Sequence, residues 1–370
     1  MNSFQKKYEI ELHTLSPLHI ASGKEINKKE YIFDSNSKTA YIINSERLAK
    51  FVFDKELFKS FESFMCSETS DDLGSWLRRS DATMDEIESL VDYRLDCSNT
   101  EISVKNRGIK TFVKDAYNMP YIPGSSLKGC LRTALLAYDI KKRPDTYTRI
   151  AKRIADNRII TEKKKKKEKI LSAESKALEQ TAFYTAGRKI KTEKDRSNAV
   201  NDVMQGIIIS DSEPISCDKL TLCQKSDLKT NGTYAKLPIF NECIIPNVTI
   251  RFSITIDSTF CKITIEQIKE AVEQFASDYY TNYISIFKQR KPEYPDIIRL
   301  GGNIGFQSKT IINNLFQKPE SVEITSDILS ALGHFKNAKD SSIGVSPHTI
   351  HMASYGGREY RMGECRFIVK

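Results

Sequence analysis

Two serines and two basic residues follow a Pro-Gly pair in the segment YIPGSSLKGCLRTALL, residues 121–136. Apolar residues then recur at the spacing of one buried helix face, which predicts a helix that starts at this point. These apolar residues are Leu127, Leu131, Leu135 and Leu136. A helix start carries unpaired N–H groups and a partial positive charge. Ser125, Ser126, Lys128 and Arg132 add hydroxyls and two cations, so the segment suits a phosphate; a serine-capped amphipathic helix with solvated basic residues explains the pattern equally well.

A second candidate phosphate site is the segment RLGGNIGFQSKTII, residues 299–312. Three glycines within five residues let the backbone pass close to a ligand and direct N–H groups at it. The predicted contacts are Gly301, Gly302, Asn303, Gly305 and Lys309. Residues 308–310 are predicted to open the next helix. The lysine does not follow a glycine at the Walker A spacing, which argues against ATP hydrolysis. A glycine-rich turn is by itself also typical of an ordinary loop.

Histidine would be needed for metal-independent RNA cleavage by general acid and base chemistry. His19 lies in SPLHIASG at a predicted strand end, where it could approach a ligand or hydrogen-bond a loop. His348 and His351 are three residues apart and could share a metal on a helix, but the β-branched residues around them favour an extended run and a structural role. No histidine pairs with a lysine or tyrosine in a recognisable constellation. We therefore predict no catalytic residue and no metal ligand.

Composition indicates a globular protein without disulfides. The 370 residues are 39% hydrophobic, and the eight cysteines are scattered without a CxxC pair, as expected of reduced thiols. No apolar run approaches the roughly 20 residues of a membrane span, and the N-terminus lacks a signal-peptide core, which predicts a cytoplasmic protein. The net charge is +9, and residues 141–200 hold 19 Lys and Arg against 8 Asp and Glu.

This concentration of positive charge predicts a polyanionic partner or a solvated arm. Five consecutive lysines at 163–167 lie in a helix-favouring composition but repel each other. A flexible linker and an RNA-contacting arm both remain open for this run. The sequence is also compatible with a general protein-interaction module, in which the basic arm has no function of its own.

The predicted elements form an α+β pattern. Strands are predicted near 6–15, 30–34, 39–43, 92–95, 109–113, 206–214 and 243–256. Residues 45–90 carry an aromatic stripe at helical spacing, which is more typical of a core than of a base-stacking platform, and a long helix is predicted at about 264–288. Asn231-Gly232 is a hairpin turn signal between two predicted strands.

The run IPGSSLKGCLRTAL resembles the IPGSSLKGxLR signature of the RAMP superfamily, a group of CRISPR-associated RNA-binding proteins built on RRM-like ferredoxin folds. SPLHIASG resembles its SPLHIGSG start, with Ala21 where a glycine is common. NECIIPNVTI resembles its ECIxPG pattern, with Asn247 in place of glycine. The GFxxKT continuation at 305–310 and the C-terminal SPHTIHM and EYRMGECRFIVK narrow the likeness to the fifth-subunit family of the Csm (type III-A) CRISPR effector.

The resemblance implies an α+β, RRM-like (ferredoxin-like) RAMP fold over 1–370. It further implies a helical insertion at 45–90, a basic helical or flexible insertion at 141–200, a thumb hairpin at 214–242 and a glycine-rich loop at 299–312.

It also implies the function of a non-catalytic RNA-binding subunit that caps the crRNA 3′ end, is needed for crRNA maturation and contributes to antiviral RNA-guided defence. The implied partners are crRNA, target RNA, the backbone and small Csm subunits and host nucleases that trim the crRNA, with no membrane and no cofactor. Some RAMP relatives cut CRISPR repeats, so a metal-independent CRISPR-repeat endoribonuclease is the alternative. Asp211 and Glu213 lie near a predicted strand end, but no metal-dependent cleavage is assigned to them.

Overall fold

The computed structural model describes residues 4–68, 71–101, 103–104, 107–161, 171–187, 198–289 and 291–370. The strands are β1 (Gln5–Thr14), β2 (Ala21–Ile26), β3 (Tyr31–Asp34), β4 (Thr39–Ile43), β5 (Val91–Asp96), β6 (Ile109–Phe112), β7 (Ile207–Ile209), β8 (Leu220–Lys229), β9 (Tyr234–Ile244), β10 (Thr249–Asp257), β11 (Ile297–Arg299), β12 (Thr349–Tyr355), β13 (Arg358–Arg361) and β14 (Glu364–Val369). Within the described ranges, no helix combines the length and apolar character that crossing a bilayer requires.

The α-helices of the described residues surround these strands. They are α1 (Ser45–Asp54), α2 (Phe58–Cys66), α3 (Leu73–Arg79), α4 (Met84–Leu90), α5 (Gly124–Lys142), α6 (Pro144–Thr161), α7 (Ser172–Phe183), α8 (Ile265–Asn282), α9 (Ile312–Leu315), α10 (Glu320–Ala331) and α11 (Asp340–Ile343).

The first sheet has a ferredoxin-like arrangement. Its strands run in the order β11-β14-β1-β10-β7, and every neighbouring pair is antiparallel. Along the chain, β1, α5, β7, β10, α8 and β14 follow one another as strand, helix, strand, strand, helix, strand, with β11 added beside β14 at the sheet edge. The four shared strands therefore lie in the spatial order 4-1-3-2. This confirms the RRM-like fold class.

The main core lies between this sheet and α5 and α8. Alternation along β1 turns Ile10 and Leu12 inward and Glu9 and Glu11 to the other face, as the period of a strand requires. All four apolar residues predicted for the α5 face are buried in this core. The helix α8 begins with a capping box, in which the Thr264 hydroxyl and the Gln267 side chain satisfy each other's backbone N–H groups.

The second sheet contains nine strands, of which seven follow the order β2-β6-β9-β8-β5-β4-β3. β12 adds to β8, and β13 pairs with β12. β8 and β9 form the predicted hairpin, and Gly232 at its turn has φ +85°. The Asn231 side chain accepts a hydrogen bond from the Thr233 N–H at 3.1 Å, which stabilises the turn.

Residues 45–90 fold into the helices α1 to α4 with a core of their own. Trp76 is buried, and its ring lies 5.1 Å from that of Phe61 and 5.6 Å from that of Phe64. The interpretation of the aromatic stripe as core is thus confirmed for these residues. Phe53 and Phe58 differ, since both remain exposed.

Three predicted elements are shorter than expected. The strand predicted at 243–256 is two strands, because Asn247 has φ +66° and turns the chain between them. The strand predicted at 206–214 ends at Ile209, where the chain turns towards the start of α5. The long helix ends at Asn282, and a 3₁₀ turn (Ile284–Phe287) takes the place of its predicted end.

The basic region 141–200 contributes α6, α7 and the end of α5 to the described structure. The five consecutive lysines lie outside the described residues.

A buried ion cluster joins the edge of the first sheet to the glycine-rich segment. The Glu364 carboxylate accepts hydrogen bonds from the guanidinium of Arg299 at 2.9 Å and from that of Arg361 at 2.9 Å. The Arg299 guanidinium also lies 3.9 Å from the ring centroid of Tyr279. Burial by itself raises the pKa of Glu364, but the two arginines outweigh it and the net pKa is lowered.

We predict that Leu131→Ala lowers the free energy of unfolding by about 2 to 5 kcal/mol, because this core side chain is 1% exposed and its truncation leaves a cavity. Urea unfolding followed by circular dichroism measures the change. The matched control is Met84→Ala, which truncates a helical side chain that is 79% exposed and should cost less than about 0.5 kcal/mol. Equal losses in the two variants would contradict the position of the core.

We predict that Glu364→Gln lowers the free energy of unfolding at pH 7 by about 3 to 5 kcal/mol, because it leaves two buried guanidinium groups without their carboxylate. A carboxylate with a lowered folded pKa stabilises the fold above its unfolded pKa and loses that contribution as the pH falls through the folded value. The difference between wild type and variant should therefore shrink as the pH falls below the ordinary glutamate value of 4.5. Urea unfolding at several pH values tests this, with the exposed Glu62→Gln as control.

Candidate nucleic-acid interface

The glycine-rich segment packs directly against the backbone of His19. The Gly302 N–H donates to the His19 carbonyl at 2.7 Å. A Cβ atom on Gly301 would lie 2.1 Å from that carbonyl oxygen, and Gly301 has φ +89°. Only glycine meets both demands, so the spacing of the glycines serves a close approach between two backbones.

Backbone hydrogen bonds tie three distant segments together at this place. The Leu300 N–H donates to the Gly363 carbonyl at 2.9 Å, and the Gly363 N–H donates to the Pro17 carbonyl at 2.9 Å. Two reciprocal bonds between Leu18 and Ile244, at 3.0 and 2.8 Å, then continue into β9. The loop from Gly301 to Lys309 therefore begins at a network of backbone hydrogen bonds that involves both sheets.

The loop itself makes a turn whose polar side chains are used in different ways. Asn303 adopts φ +58°, and its amide donates to the Asn241 side chain at 3.3 Å. The Ser308 hydroxyl is directed to the carbonyls of Ile304 and Gly305, both at 2.9 Å. Lys309 is exposed, and among the residues that the structure describes no ion pair involves it. Of these side chains, Lys309 is the one left exposed to an external anion.

The prediction that residues 308–310 open a helix is wrong. A 3₁₀ turn (Gln307–Lys309) ends the loop, Thr310 is extended, and α9 begins at Ile312. The reason is that Gln307 is buried and its amide donates to the Ser346 carbonyl at 2.7 Å, which holds the chain in the turn.

His19 lies beneath the loop and is 2% exposed. Its Nδ1 lies 2.7 Å from the Glu242 carbonyl, which makes Nδ1 the protonated nitrogen and leaves Nε2 as an acceptor. Burial lowers the pKa of His19, and it outweighs the opposite effects of the Glu242 carbonyl and charge. The side chain is thus neutral and supports the loop.

The start of α5 differs from the expected serine cap. The helix begins at Gly124, Pro123 occupies the cap position, and no side-chain hydroxyl caps it. The Asp211 carboxylate instead accepts a hydrogen bond from the Gly124 N–H at 2.8 Å. A Cβ at Gly124 would lie 2.4 Å from the Ser210 carbonyl, so the helix start is pressed against the segment that carries Asp211. One of the N–H groups expected to meet a phosphate is therefore already occupied by an anion.

One contact brings the α5 face of Ser126 close to the strand that leads into the glycine-rich loop. The Cys130 thiol donates to the Arg299 carbonyl at 3.4 Å, immediately before the loop. Ser126 is four residues before Cys130 and shares its helix face. The charge of Lys309 also acts on the Cys130 thiol, whose pKa burial raises to about 11. The helix face of Ser126 and the glycine-rich loop therefore adjoin one another, with Ser125 exposed next to them.

Lys128 and Arg132 lie on a different face of α5. The Arg132 guanidinium pairs with Glu179 at 2.8 Å and Asp202 at 2.9 Å and lies 4.5 Å from the Phe183 ring centroid. Lys128 is half-buried; burial lowers its pKa, and Asp202 acts in the opposite direction. Arg132 is thus held by two carboxylates and is not the solvated cation that the sequence suggests. A contact of either side chain with RNA stays a prediction.

The remaining histidine interpretation is confirmed. The segment 349–355 is extended, as predicted. The Nδ1 atom of His348 lies 2.6 Å from the Asp340 carboxylate, and that of His351 lies 2.8 Å from the Asp227 carboxylate. The two rings serve separate carboxylates. Within the described part of the chain, no group of three His, Cys, Asp or Glu side chains could hold a metal ion.

Sequence reasoning missed two residues of this interface. Asp211 was seen only as a carboxylate near a strand end, and its position at the start of α5 depends on a contact 87 residues away. Asn241 was not singled out, although it immediately precedes the ECIIPN run and its partner Asn303 was predicted.

Several curated proteins are similar in sequence to this chain over nearly its full length. Three curated relatives are each named "CRISPR system Cms protein Csm5". The protein from Mycobacterium tuberculosis is 24% identical, covering 100% of this chain and 99% of the relative. That from Enterococcus italicus is 24% identical, covering 98% and 97%, and that from Streptococcus thermophilus is 25% identical, covering 100% and 99%.

Two solved structures share the fold. A chain of the cryo-EM structure of a Csm-crRNA-target RNA ternary complex in a type III-A CRISPR-Cas system has a TM-score of 0.64 at 19% identity, covering 98% of this chain and 100% of that chain. The crystal structure of T. onnurineus Csm5 has a TM-score of 0.60 at 17% identity, covering 96% and 99%.

The sequence profile of the RAMP superfamily matches residues 11–306, a span that runs from β1 through α5 to the three glycines. Since this match covers most of the chain and the fold is ferredoxin-like, the protein belongs to the RAMP superfamily.

Proposed function

We propose that the protein is the fifth subunit of a type III-A Csm ribonucleoprotein effector and binds RNA there without catalysing a reaction. It holds the backbone of the crRNA near its 3′ end, caps that end of the complex and is needed for crRNA maturation. In this way it contributes to RNA-guided antiviral defence in the cytoplasm.

One observation carries the RNA-binding part of the proposal. The glycine-rich loop from Gly301 to Lys309 lies beside the face of α5 that holds Ser126, on a base of backbone hydrogen bonds. The pairing combines hydroxyls, an exposed cation and a backbone that only glycine allows to pass so closely. Such a grip neutralises phosphates without reading bases, which suits a subunit that must accept any spacer sequence.

The partners are proposed from the relatives. The M. tuberculosis, E. italicus and S. thermophilus proteins are named Csm5, and each matches this chain over nearly its full length. A solved structure of similar fold comes from a Csm complex with crRNA and target RNA. We extend these partners to this chain: crRNA, target RNA and the backbone and small Csm subunits. Recruited host nucleases trim the crRNA, and the subunit itself only binds the RNA near the 3′ end at which they act.

A histidine-based endoribonuclease has less support from the geometry. His19 is buried and hydrogen-bonded to a carbonyl, and His348 and His351 are each bound to a carboxylate. A general acid or base must reach the proton that it transfers. Incubation of the pure chain with labelled crRNA precursor, first in EDTA and then with metal, tests this alternative; products that require His19 would support it.

The decisive experiment for the proposal is co-expression of the chain with the other Csm subunits and a crRNA gene. The chain should co-purify with the complex, and the crRNA in complexes that lack it should be left immature. Filter binding of the purified chain to single-stranded RNA at two salt concentrations then tests the grip on phosphates. An affinity that does not fall with salt, or a chain that never enters the complex, would overturn the proposal.

We predict that Lys309→Ala weakens binding of single-stranded RNA by on the order of 1 to 3 kcal/mol, because it removes the exposed cation of the loop. Lys128→Ala should do so only if the half-buried ammonium reaches a phosphate. Filter binding across a salt series measures both, and each lost contact should reduce the slope of log affinity against log salt by about 0.7.

The control for the two lysine variants is Lys50→Ala, an exposed lysine on α1. Arg132→Ala tests instead whether the Arg132 side chain serves the fold. Its main effect should be a loss of unfolding free energy of about 1.5 to 3 kcal/mol, because two carboxylates lose their hydrogen-bonded partner. If Lys309→Ala leaves both the affinity and the salt slope unchanged while the protein stays folded, the loop is not an RNA contact.

We predict that Gly301→Ala reduces RNA affinity at least about tenfold, because the added Cβ would collide with the His19 carbonyl and displace the loop. Gly305→Ala is the matched control. It also has a positive φ, +86°, but a Cβ there has no heavy atom within 4 Å, so it carries the backbone strain without the collision. Filter binding compares the two, and thermal melting shows whether each folds. Equal affinities for the two variants would reject the role of the close approach.

A further inference from the structure

Three polar side chains meet on adjoining strands next to the glycine-rich loop. Lys110 on β6 pairs in register with Asn241 on β9, and Asn241 pairs in register with Cys223 on β8. Lys225 follows two residues later on β8, and the charge of Lys110 acts on it. The charge of Lys110 also acts on His19, directly beneath the loop. None of these positions belongs to the two turns described above.

The first observation at this place is an unpaired amide. Asn241 is fully buried, its Oδ1 accepts from Asn303 of the loop at 3.3 Å, and its Nδ2 has no hydrogen-bond partner among the described residues. A buried donor without an acceptor is unfavourable. The neighbouring strand offers a lysine at this level, which is a donor and cannot satisfy it. The Asn241 amide therefore has a free donor at this place in the described structure.

The second observation is a poorly neutralised lysine pair. The Lys225 side chain is only 12% exposed, and its nearest carboxylate, Asp227, lies 3.8 Å away. Asp227 is already bound by the His351 ring at 2.8 Å, and the charge of His348 acts on it as well. Burial lowers the pKa of Lys225, Asp227 acts in the opposite direction, and Lys110 lowers it further. Lys110 lies opposite Glu25 in the register of β2 and β6 but forms no ion pair within 4 Å among the described residues, and the carboxylate near Lys225 already has another partner.

We infer that Lys110, Lys225 and the Asn241 amide form a binding site for one internucleotide phosphate of single-stranded RNA. The phosphate supplies the acceptor that Asn241 lacks and the negative charge that the two lysines lack. The Asn303–Asn241 hydrogen bond connects this site to the loop, so a strand held by Lys309 continues across β9 towards the β8–β9 hairpin. The inference rests on the proposed function and extends it by a defined phosphate position.

The test uses the full-length chain and fluorescently labelled single-stranded RNA. The variants are Lys225→Met, which keeps the apolar stem, Lys110→Met at an exposed position, Lys225→Arg, and Lys50→Met on α1 as an exposed control outside the proposed site. Anisotropy titrations across a salt series measure affinity and slope. Each of the first two variants should lose about tenfold in affinity and about 0.7 in slope, while Lys50→Met should match wild type.

A pH series separates a phosphate contact from a structural role. In wild type, RNA affinity should fall as the pH rises through the lowered pKa of Lys225, because the neutral amine no longer attracts the phosphate. Lys225→Arg should remove this fall, since a guanidinium stays charged. A variant that merely loosened the fold would weaken binding equally at every pH.

The outcomes distinguish the two claims. If wild type binds RNA with a salt-dependent affinity but Lys110→Met and Lys225→Met keep its slope and pH profile, the phosphate site is wrong and the proposed function stands. If wild type shows no salt-dependent RNA binding, both are overturned. The site is supported if both lysine-to-methionine variants reduce the slope of log affinity against log salt. The decrease of RNA affinity with rising pH should then be abolished only in Lys225→Arg and Lys225→Met.

Discussion

The contact between the Gly301-Gly302 backbone and the His19 carbonyl is the constraint on which the rest of the interface depends. Two peptide chains pass so closely that a single Cβ would collide at 2.1 Å. The segment that carries His19 also leaves β1 and joins β9 through Leu18, so the same segment connects the two sheets. A displacement of the loop would therefore be transmitted to both sheets, since packed interiors resist small shifts.

The cations of the protein divide into two groups. Arg132, Arg299 and Lys114 are each held by buried or half-buried carboxylates and serve the fold. Breaking such a pair costs much more free energy than an exposed pair contributes. These three side chains are therefore poor candidates for contact with an external anion. Lys309, Lys110 and Lys225 lack a close dedicated carboxylate in the described structure.

At the start of α5, one carboxylate of the protein occupies a position that an external anion could otherwise take. Asp211 occupies the Gly124 N–H and offsets part of the helix dipole. The helix start is therefore less available to an external anion than its dipole alone would suggest. The buried Glu242 has a related role, since its backbone carbonyl orients His19 while its carboxylate binds Lys114 at 2.6 Å.

The sequence by itself determined the elements whose cause is local. Alternation predicted β1, the apolar spacing predicted the buried face of α5, and Asn231-Gly232 predicted the hairpin. The three glycines predicted a close approach to a ligand, whereas Gly301 approaches the His19 backbone. Only the tertiary structure decided which partners these residues meet. Arg132 looked free because Glu179 and Asp202 are 47 and 70 residues away along the chain, and the partner of the helix start is 87 residues away. Side-chain charge and spacing are written in the sequence, but neutralisation and desolvation depend on segments that folding alone brings together.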